Sequence, residues 1–256
     1  MTRSRDLEHL VRARVFVAID FETGDELRDS ACAVGLARVE DGAIVAHETR
    51  LVRPPRPIKH DFTAIHGITN DHVAGAPSWA EVWGRVSPLT TGVDLFVAHN
   101  AEFDWSVLEA CNRAAGLPVP TTPWACTCKA ARAAFAPKLE NNKLSTVAAA
   151  LGIALKHHDP HSDVRACALI ACALKRTAGE KDGGGATLQE RCRAYIRGRA
   201  ERARKGSSPA DAALLLLGPG EGPDPLWAAR SWGWLDQNHE AVLDTVRDAV
   251  RETEAA

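Results

Sequence analysis

Val15 to Ile19 is an unbroken apolar run that ends in Asp20, with Glu22 two residues further on. A short apolar run of this kind reads as a central strand, buried on both faces, whose tip meets a site. Successive strand residues alternate faces, so Asp20 and Glu22 point the same way. Two carboxylates held that close repel each other unless a cation sits between them. The run therefore restricts the fold to a helix-covered sheet and places an acidic site at one strand end.

The rest of the first 177 residues fits such a sheet. Segments 31–39 and 43–51 flank Asp41-Gly42, a strong hairpin signal. The RPPRP stretch at 53–57 cannot pair as a strand and reads as a surface connection. Ser78 is placed to cap a helix that carries Trp79, Val82, Trp83 and Val86 at helical spacing, so these tryptophans read as core. Leu95 to Ala98 reads as a second buried strand, and Asn100 as the cap of a helix from Ala101 that buries Val107, Leu108 and Cys111. A short strand through Ala125 follows, then helices around 129–135 and 143–151. Asp159-Pro160 reads as a cap and first turn of a last helix, with Val164, Cys167, Ala168 and Ala171 inward. Strands first, then alternating helices and strands, imply an α/β sheet covered by helices.

Two more segments carry chemistry. Asp104 lies in FVAHNAEFD (96–104), in the first turn of its helix, where the dipole tolerates an anion. His158 and Asp163 lie in HDPHSD (158–163). An oxygen-only ligand set favours a hard ion such as Mg2+ or Mn2+ over zinc. Two such ions about 4 Å apart can clamp the attacking and leaving oxygens of a phosphodiester. An imidazole, with an ordinary pKa of about 6.5, takes a proton from water near neutral pH. On residue chemistry alone, His157 and His161 compete with His158 for that role.

Composition limits the alternatives. With 256 residues, 45% of them hydrophobic, the chain can bury a full core and carry one main domain plus an appendage. The formal net charge of −2 supplies no overall field toward nucleic acid, so attraction to a polyanion must come from bound metal or a local patch. Seven cysteines without a regular framework suggest reduced thiols in a cytoplasmic protein. Cys126 and Cys128 lack a second pair at zinc-site spacing and read as small buried thiols. The charged N-terminus does not read as a signal peptide, and no run approaches the roughly 20 apolar residues of a membrane span.

The three acidic segments resemble the exonuclease motifs of the DEDDh family, the DnaQ-like 3′–5′ exonucleases. Asp20 and Glu22 match the first motif, Asp104 the second, and His158 with Asp163 the third. The family's His-x4-Asp spacing selects His158 over its neighbours. IHGIT (65–69) resembles a further signature of the branch that includes the DNA polymerase III epsilon-subunit-like proofreading proteins. The resemblance covers about residues 13–176. It implies a ribonuclease H-like α/β fold, a mixed five-stranded sheet flanked by helices. It also implies two divalent ions, Mg2+ or Mn2+, held by Asp20, Glu22, Asp104 and Asp163, with His158 as general base. The implied reaction releases nucleoside 5′-monophosphates from the 3′ end of single-stranded nucleic acid, with DNA ranked ahead of RNA. By the same comparison Thr23, His66, Ile68 and Asn100 lie near the terminal nucleotide. An exonuclease that trims RNA is the nearest rival reading.

The domain reading is an N-terminal extension at 1–12, the exonuclease domain at 13–177, a linker at 178–186 and a mostly helical C-terminal extension at 187–256. Within the extension, residues 191–205 hold seven basic residues and one acid. An acidic stripe from Asp236 to Glu252 opposes Val242, Leu243, Val246 and Val250, as the wet face of an amphipathic helix would. Trp227, Trp232 and Trp234 are candidate anchors for a polymerase or another protein partner, which supports a second reading of the chain as a tethering subunit.

Overall fold

The computed structural model describes residues 4–135 and 138–179. Five strands form one mixed sheet in the order β3-β2-β1-β4-β5. Strand β1 (Val15–Thr23) runs antiparallel to β2 (Ala31–Glu40), which pairs in turn with β3 (Ala43–Leu51). On its other side β1 runs parallel to β4 (Leu95–Ala98), and β4 runs parallel to β5 (Trp124–Cys126). The β2–β3 hairpin turns at Asp41-Gly42, where both residues have positive φ, as a tight two-residue hairpin loop requires.

The two faces of β1 meet different partners. Val17, Ile19 and Phe21 join a core with α4 (Trp79–Val86) and α5 (Ala101–Ala114), built on Trp79, Val82, Trp83, Val86, Val107 and Leu108. A capping box starts α4, with Ser78 and Glu81 bonding reciprocally. The opposite face holds Phe16, Ala18, Asp20 and Glu22 and is covered by α8 (Pro160–Gly179), which also packs on β2 and on α7 (Leu144–Ala150). Between Val164 and Leu174 helix α8 is buried at every position but Arg165 and Leu169, with Ala166, Ala168 and Ala171 fully buried, and such small side chains let it lie close to its neighbours. A smaller core of Cys32, Ala33, Ile58, Ile68, Val73 and Ala76 ties α2 (His60–His66) and α3 (Asn70–Val73) to the far end of β2.

Helix α1 (Arg5–Arg12), within the stretch read as an N-terminal extension, buries Leu7 and Leu10 and packs on α8, β5 and α6 (Thr127–Ala134). The Asp6 carboxylate accepts the Cys126 amide at 2.8 Å, so α1 also occupies the β5 edge. Asn100 needs correction: its side chain makes no capping bond. Only His99 and Asn100 separate β4 from α5, and this abrupt turn puts Asn100 in the left-handed region at φ 79°, which asparagine tolerates. Residues 180–256, with most of the linker and the whole C-terminal extension, lie outside the described residues. Among the described residues no helix is long and apolar enough to cross a membrane.

Candidate active site

Strand β1 outruns its neighbour. Its pairing with β4 ends at Ala18 opposite Val97, so Asp20, Phe21 and Glu22 face the N-terminus of α5 instead of a strand. The Phe21 amide, left without a ladder partner there, donates to Asp104 Oδ1 at 3.2 Å. Asp104 is thereby fixed against β1 between the two acids of the first segment.

Asp163 arrives from the sheet's other face. Asp20 sits opposite Gly35 of β2, and a side-chain carbon at Gly35 would lie 2.6 Å from the Pro160 carbonyl oxygen and 2.9 Å from Val164 Cγ1. The missing side chain lets the first turn of α8 press against the sheet beside Asp20. Asp159 fixes that turn: its Oδ1 accepts the Ser162 amide at 3.0 Å, and its carbonyl accepts the Asp163 amide at 2.8 Å.

Carboxylate oxygens of Asp20, Glu22 and Asp163 all lie within 4.8 Å of one another. Asp104 stands beside this group in the same cavity, with Oδ1 taken by the Phe21 amide. Asp163 is 3% exposed, and its Oδ1 has no hydrogen-bond partner among the described residues. Its Oδ2 accepts the His158 amide at 2.9 Å and lies 3.3 Å from His157 Nδ1. Burial, then the charges of Asp104, Glu22 and Asp163, hold the Asp20 carboxyl well above the usual range. Burial and then Asp163 push Glu22 up to about 8. Burial raises Asp104 as well, against the Phe21 amide.

The cavity above these acids measures about 480 Å³, and its wall includes His99, Asn100, Phe103, Arg132, His157 and His158. Both His157 and His158 reach it, with their rings stacked at 3.9 Å. His161 turns the other way and stacks on His47 of β3 at 3.9 Å, which removes it from the contest.

The four residues assigned to the terminal nucleotide divide. Asn100 lines the cavity. Thr23 is buried, and both nitrogens of His66 are engaged, Nε2 with the Thr23 carbonyl at 3.1 Å and Nδ1 with the Ile68 amide at 3.0 Å. Ile68 is 7% exposed and packs in the smaller core, so its apolar edge meets protein. His66 thus braces the end of β1 from behind.

Sequence reasoning passed over His99 and Gly35. His99 bridges three elements at the cavity wall, with Nδ1 2.9 Å from Thr127 Oγ1 and Nε2 2.8 Å from the Asn142 carbonyl. Its place between the second strand and Asn100 was a usable signal. Gly35 gave none, because its role exists only through α8.

The exonuclease family model (RNase_T) matches residues 17–171. Exodeoxyribonuclease 10 of Escherichia coli strain K12 is 40% identical over 114 residues, 44% of this chain and 46% of that protein. The PolC-type DNA polymerase III of Bacillus cereus is 27% identical over 179 residues, 69% of this chain and only 12% of the polymerase. The chain thus spans less than half the length of either relative. A solved structure of exonuclease X in complex with 5′-overhanging duplex DNA has a TM-score of 0.53 and 30% identity, over 65% of this chain and 94% of that one. The chain belongs to the exonuclease family.

Proposed function

We propose that this chain is a divalent-metal-dependent 3′–5′ exonuclease in which Asp20, Glu22, Asp104 and Asp163 hold the metal and His158 is the general base. The observation that carries this reading is the convergence of Asp20, Glu22 and Asp163 within 4.8 Å, one of them with a buried oxygen that has no partner among the described residues. Carboxylates this close, two half-buried with their ionisation opposed and one buried with an oxygen that has no partner among the described residues, fit hard divalent ions. When bound, Mg2+ or Mn2+ would polarise the phosphodiester and neutralise charge on the attacking and leaving oxygens.

The chain's own residues supply the rest. The cavity is of a size to take one nucleotide. Asn100 and Phe103 in its wall are placed to meet the terminal sugar and base, while His66 and Ile68 hold Thr23 and the end of β1 in position. An imidazole nitrogen of His158 takes the proton of the attacking water as its oxygen bonds to phosphorus. The bond from phosphorus to the 3′ oxygen of the preceding nucleotide breaks, that oxygen takes a proton from solvent, and His158 releases its own to solvent. The products are a nucleoside 5′-monophosphate and a strand shorter by one residue with a new 3′-hydroxyl.

DNA is the favoured substrate, supported by the 40% identity to an exodeoxyribonuclease and the 30% identity to an exonuclease solved with DNA. We keep the C-terminal residues 187–256 as a candidate tether to a polymerase or other partner, on their sequence alone.

The test is paired digestion of 3′-labelled and 5′-labelled single strands, DNA and RNA of one sequence, with Mg2+, Mn2+ or EDTA. Metal-dependent release of mononucleotides from the 3′ end, faster on DNA, is expected, and a faster RNA reaction would transfer the reading to RNA trimming. His158→Ala is expected to cut turnover by about 10²-fold or more while strand binding persists. Near-wild-type turnover in that variant would remove His158 from the base role.

A further inference from the structure

We propose that His157, His158 and Asp163 form a second metal site, one that takes zinc-like ions and whose filling disables the nuclease. One donor atom from each of the three residues lies within 4.8 Å of the others. The two imidazoles are stacked at 3.9 Å with planes 15° apart, and His157 Nδ1 already stands 3.3 Å from Asp163 Oδ2. Neighbouring residues in extended chain send their side chains to opposite sides. Here His158 sits at φ +63°, an uncommon conformation for a residue other than glycine, and both rings face the cavity. The bond from its amide to Asp163 Oδ2 and the Asp159-capped turn hold the segment in that shape.

Asp163 Oδ1 is buried and, among the described residues, has no hydrogen-bond partner, so the carboxylate that His157 and the His158 amide approach through Oδ2 keeps an unmet demand for a cation. The donor set then decides which ion. Two imidazoles and one carboxylate are a zinc set, whereas Mg2+ and Mn2+ prefer oxygen throughout. Tetrahedral zinc wants its ligand atoms roughly 3.3 Å apart, so the side chains need swing only on the order of 1 Å. Three protein ligands leave a fourth position for water or a phosphate oxygen.

The consequence is competitive. Asp163 also belongs to the group with Asp20 and Glu22, so an ion drawn toward the histidines takes one carboxylate from the other set. An imidazole nitrogen bonded to zinc cannot accept a proton from water. This inhibitory part rests on the reading of His158 as the base.

The experiment uses the full chain, metal-free and reduced with a phosphine. Zn2+ is titrated in competition with a chromogenic chelator, and Co2+ serves as an optical probe. Wild type is expected to bind one zinc tightly, Asp20→Asn to bind it within about threefold, and His157→Ala at least about tenfold more weakly. The Co2+ spectrum is expected to show no thiolate charge-transfer band, which separates this site from the cysteines. Mg2+-supported cleavage of a single-stranded oligonucleotide should need at least about tenfold more zinc for half-inhibition in His157→Ala, each variant taken relative to its own zinc-free rate. Unchanged zinc affinity in His157→Ala overturns the proposal: a thiolate band would then move the ion to cysteine, and a loss in Asp20→Asn to the carboxylates. Failure of wild type to cleave with Mg2+ would overturn the exonuclease reading and the inhibitory part with it, while the zinc site itself would still stand or fall on affinities read without turnover.

Discussion

At Asp163 one carboxylate oxygen is held by the His158 amide and the other has no partner among the described residues. Both facts depend on where α8 begins, and that is set from across the sheet by Gly35. A methyl group there would meet the Pro160 carbonyl at 2.6 Å, and a backbone atom cannot rotate out of the way. Gly35→Ala is therefore expected to push the first turn of α8 off the sheet, destabilising the protein by about 1–3 kcal/mol. It should also slow cleavage by about 10²-fold, since displacing a catalytic group by an ångström has that order of effect. Thermal unfolding and single-strand digestion on the same preparation check both. A variant with wild-type rate would show that α8 can shift without carrying Asp163 away. A residue of this kind cannot be read from sequence, because its neighbours lie 125 or more positions away.

At the level of elements, the loop after β1 is held by ions. Arg56, in the proline-rich connection, donates from Nε to Asp25 Oδ2 at 2.7 Å and from Nη2 to Asp29. Hydrogen bonds from Arg56 hold both carboxyls below their usual range. A carboxyl lowered in the fold stabilises it fully above the unfolded value, about 3.9, and that contribution fades as pH falls through the lowered folded value. Arg56→Ala is expected to cost roughly 1 kcal/mol at pH 7, the solvent exposure of Arg56 and Asp29 keeping the figure small. The gap from wild type should narrow below about pH 4. A gap of constant size from pH 7 to 3 in thermal unfolding would rule out the ion pairs as its source. The proline-rich segment was legible only as a surface connection, since proline positions say where a strand cannot be and nothing about what an arginine among them will meet. Helix α1 shows the same limit: Leu7 and Leu10 alone, in a charged octet, become a buried stripe only against α8, β5 and α6. By contrast β1, the Asp41-Gly42 hairpin, α4 and the start of α8 were legible, because each is fixed by local chemistry: an apolar run, a turn pair, a capping box, a proline at the first helical position. Asp20 and Glu22 stood out as candidates for a related reason, since paired acids at the end of a buried strand are costly without a cation, whereas Asp104, Asp163 and His158 were singled out through the resemblance.

For the whole molecule, the acidic cluster is expected to be a source of instability that metal binding converts into stability. Glu22 is pushed up to about 8 by burial and by Asp163, so folding without metal opposes its ionisation. Glu22→Gln keeps the shape and removes a group that, at any pH above its unfolded value of about 4.3, must take up a proton or hold an unfavourable charge to fold. In EDTA at pH 7 the variant is expected to melt above wild type, by about 2–4 °C for each kcal/mol of strain relieved. In Mg2+ or Mn2+ the order should reverse. Wild type gains about 2.7 kcal/mol when free metal exceeds its dissociation constant a hundredfold, while the variant, one ligand short, gains less and loses most of its cleavage. Four melting curves, two proteins with and without metal, make the comparison. A variant that melts lower than wild type in EDTA would mean that Glu22 supports the fold by packing or hydrogen bonds instead of straining it. A variant that gains as much from metal as wild type would take Glu22 out of the ligand set. The crossing of the two orders is the signature that distinguishes a site held under electrostatic strain from a patch of surface charge, because surface acids neither raise stability when neutralised nor lose a metal response in the same step.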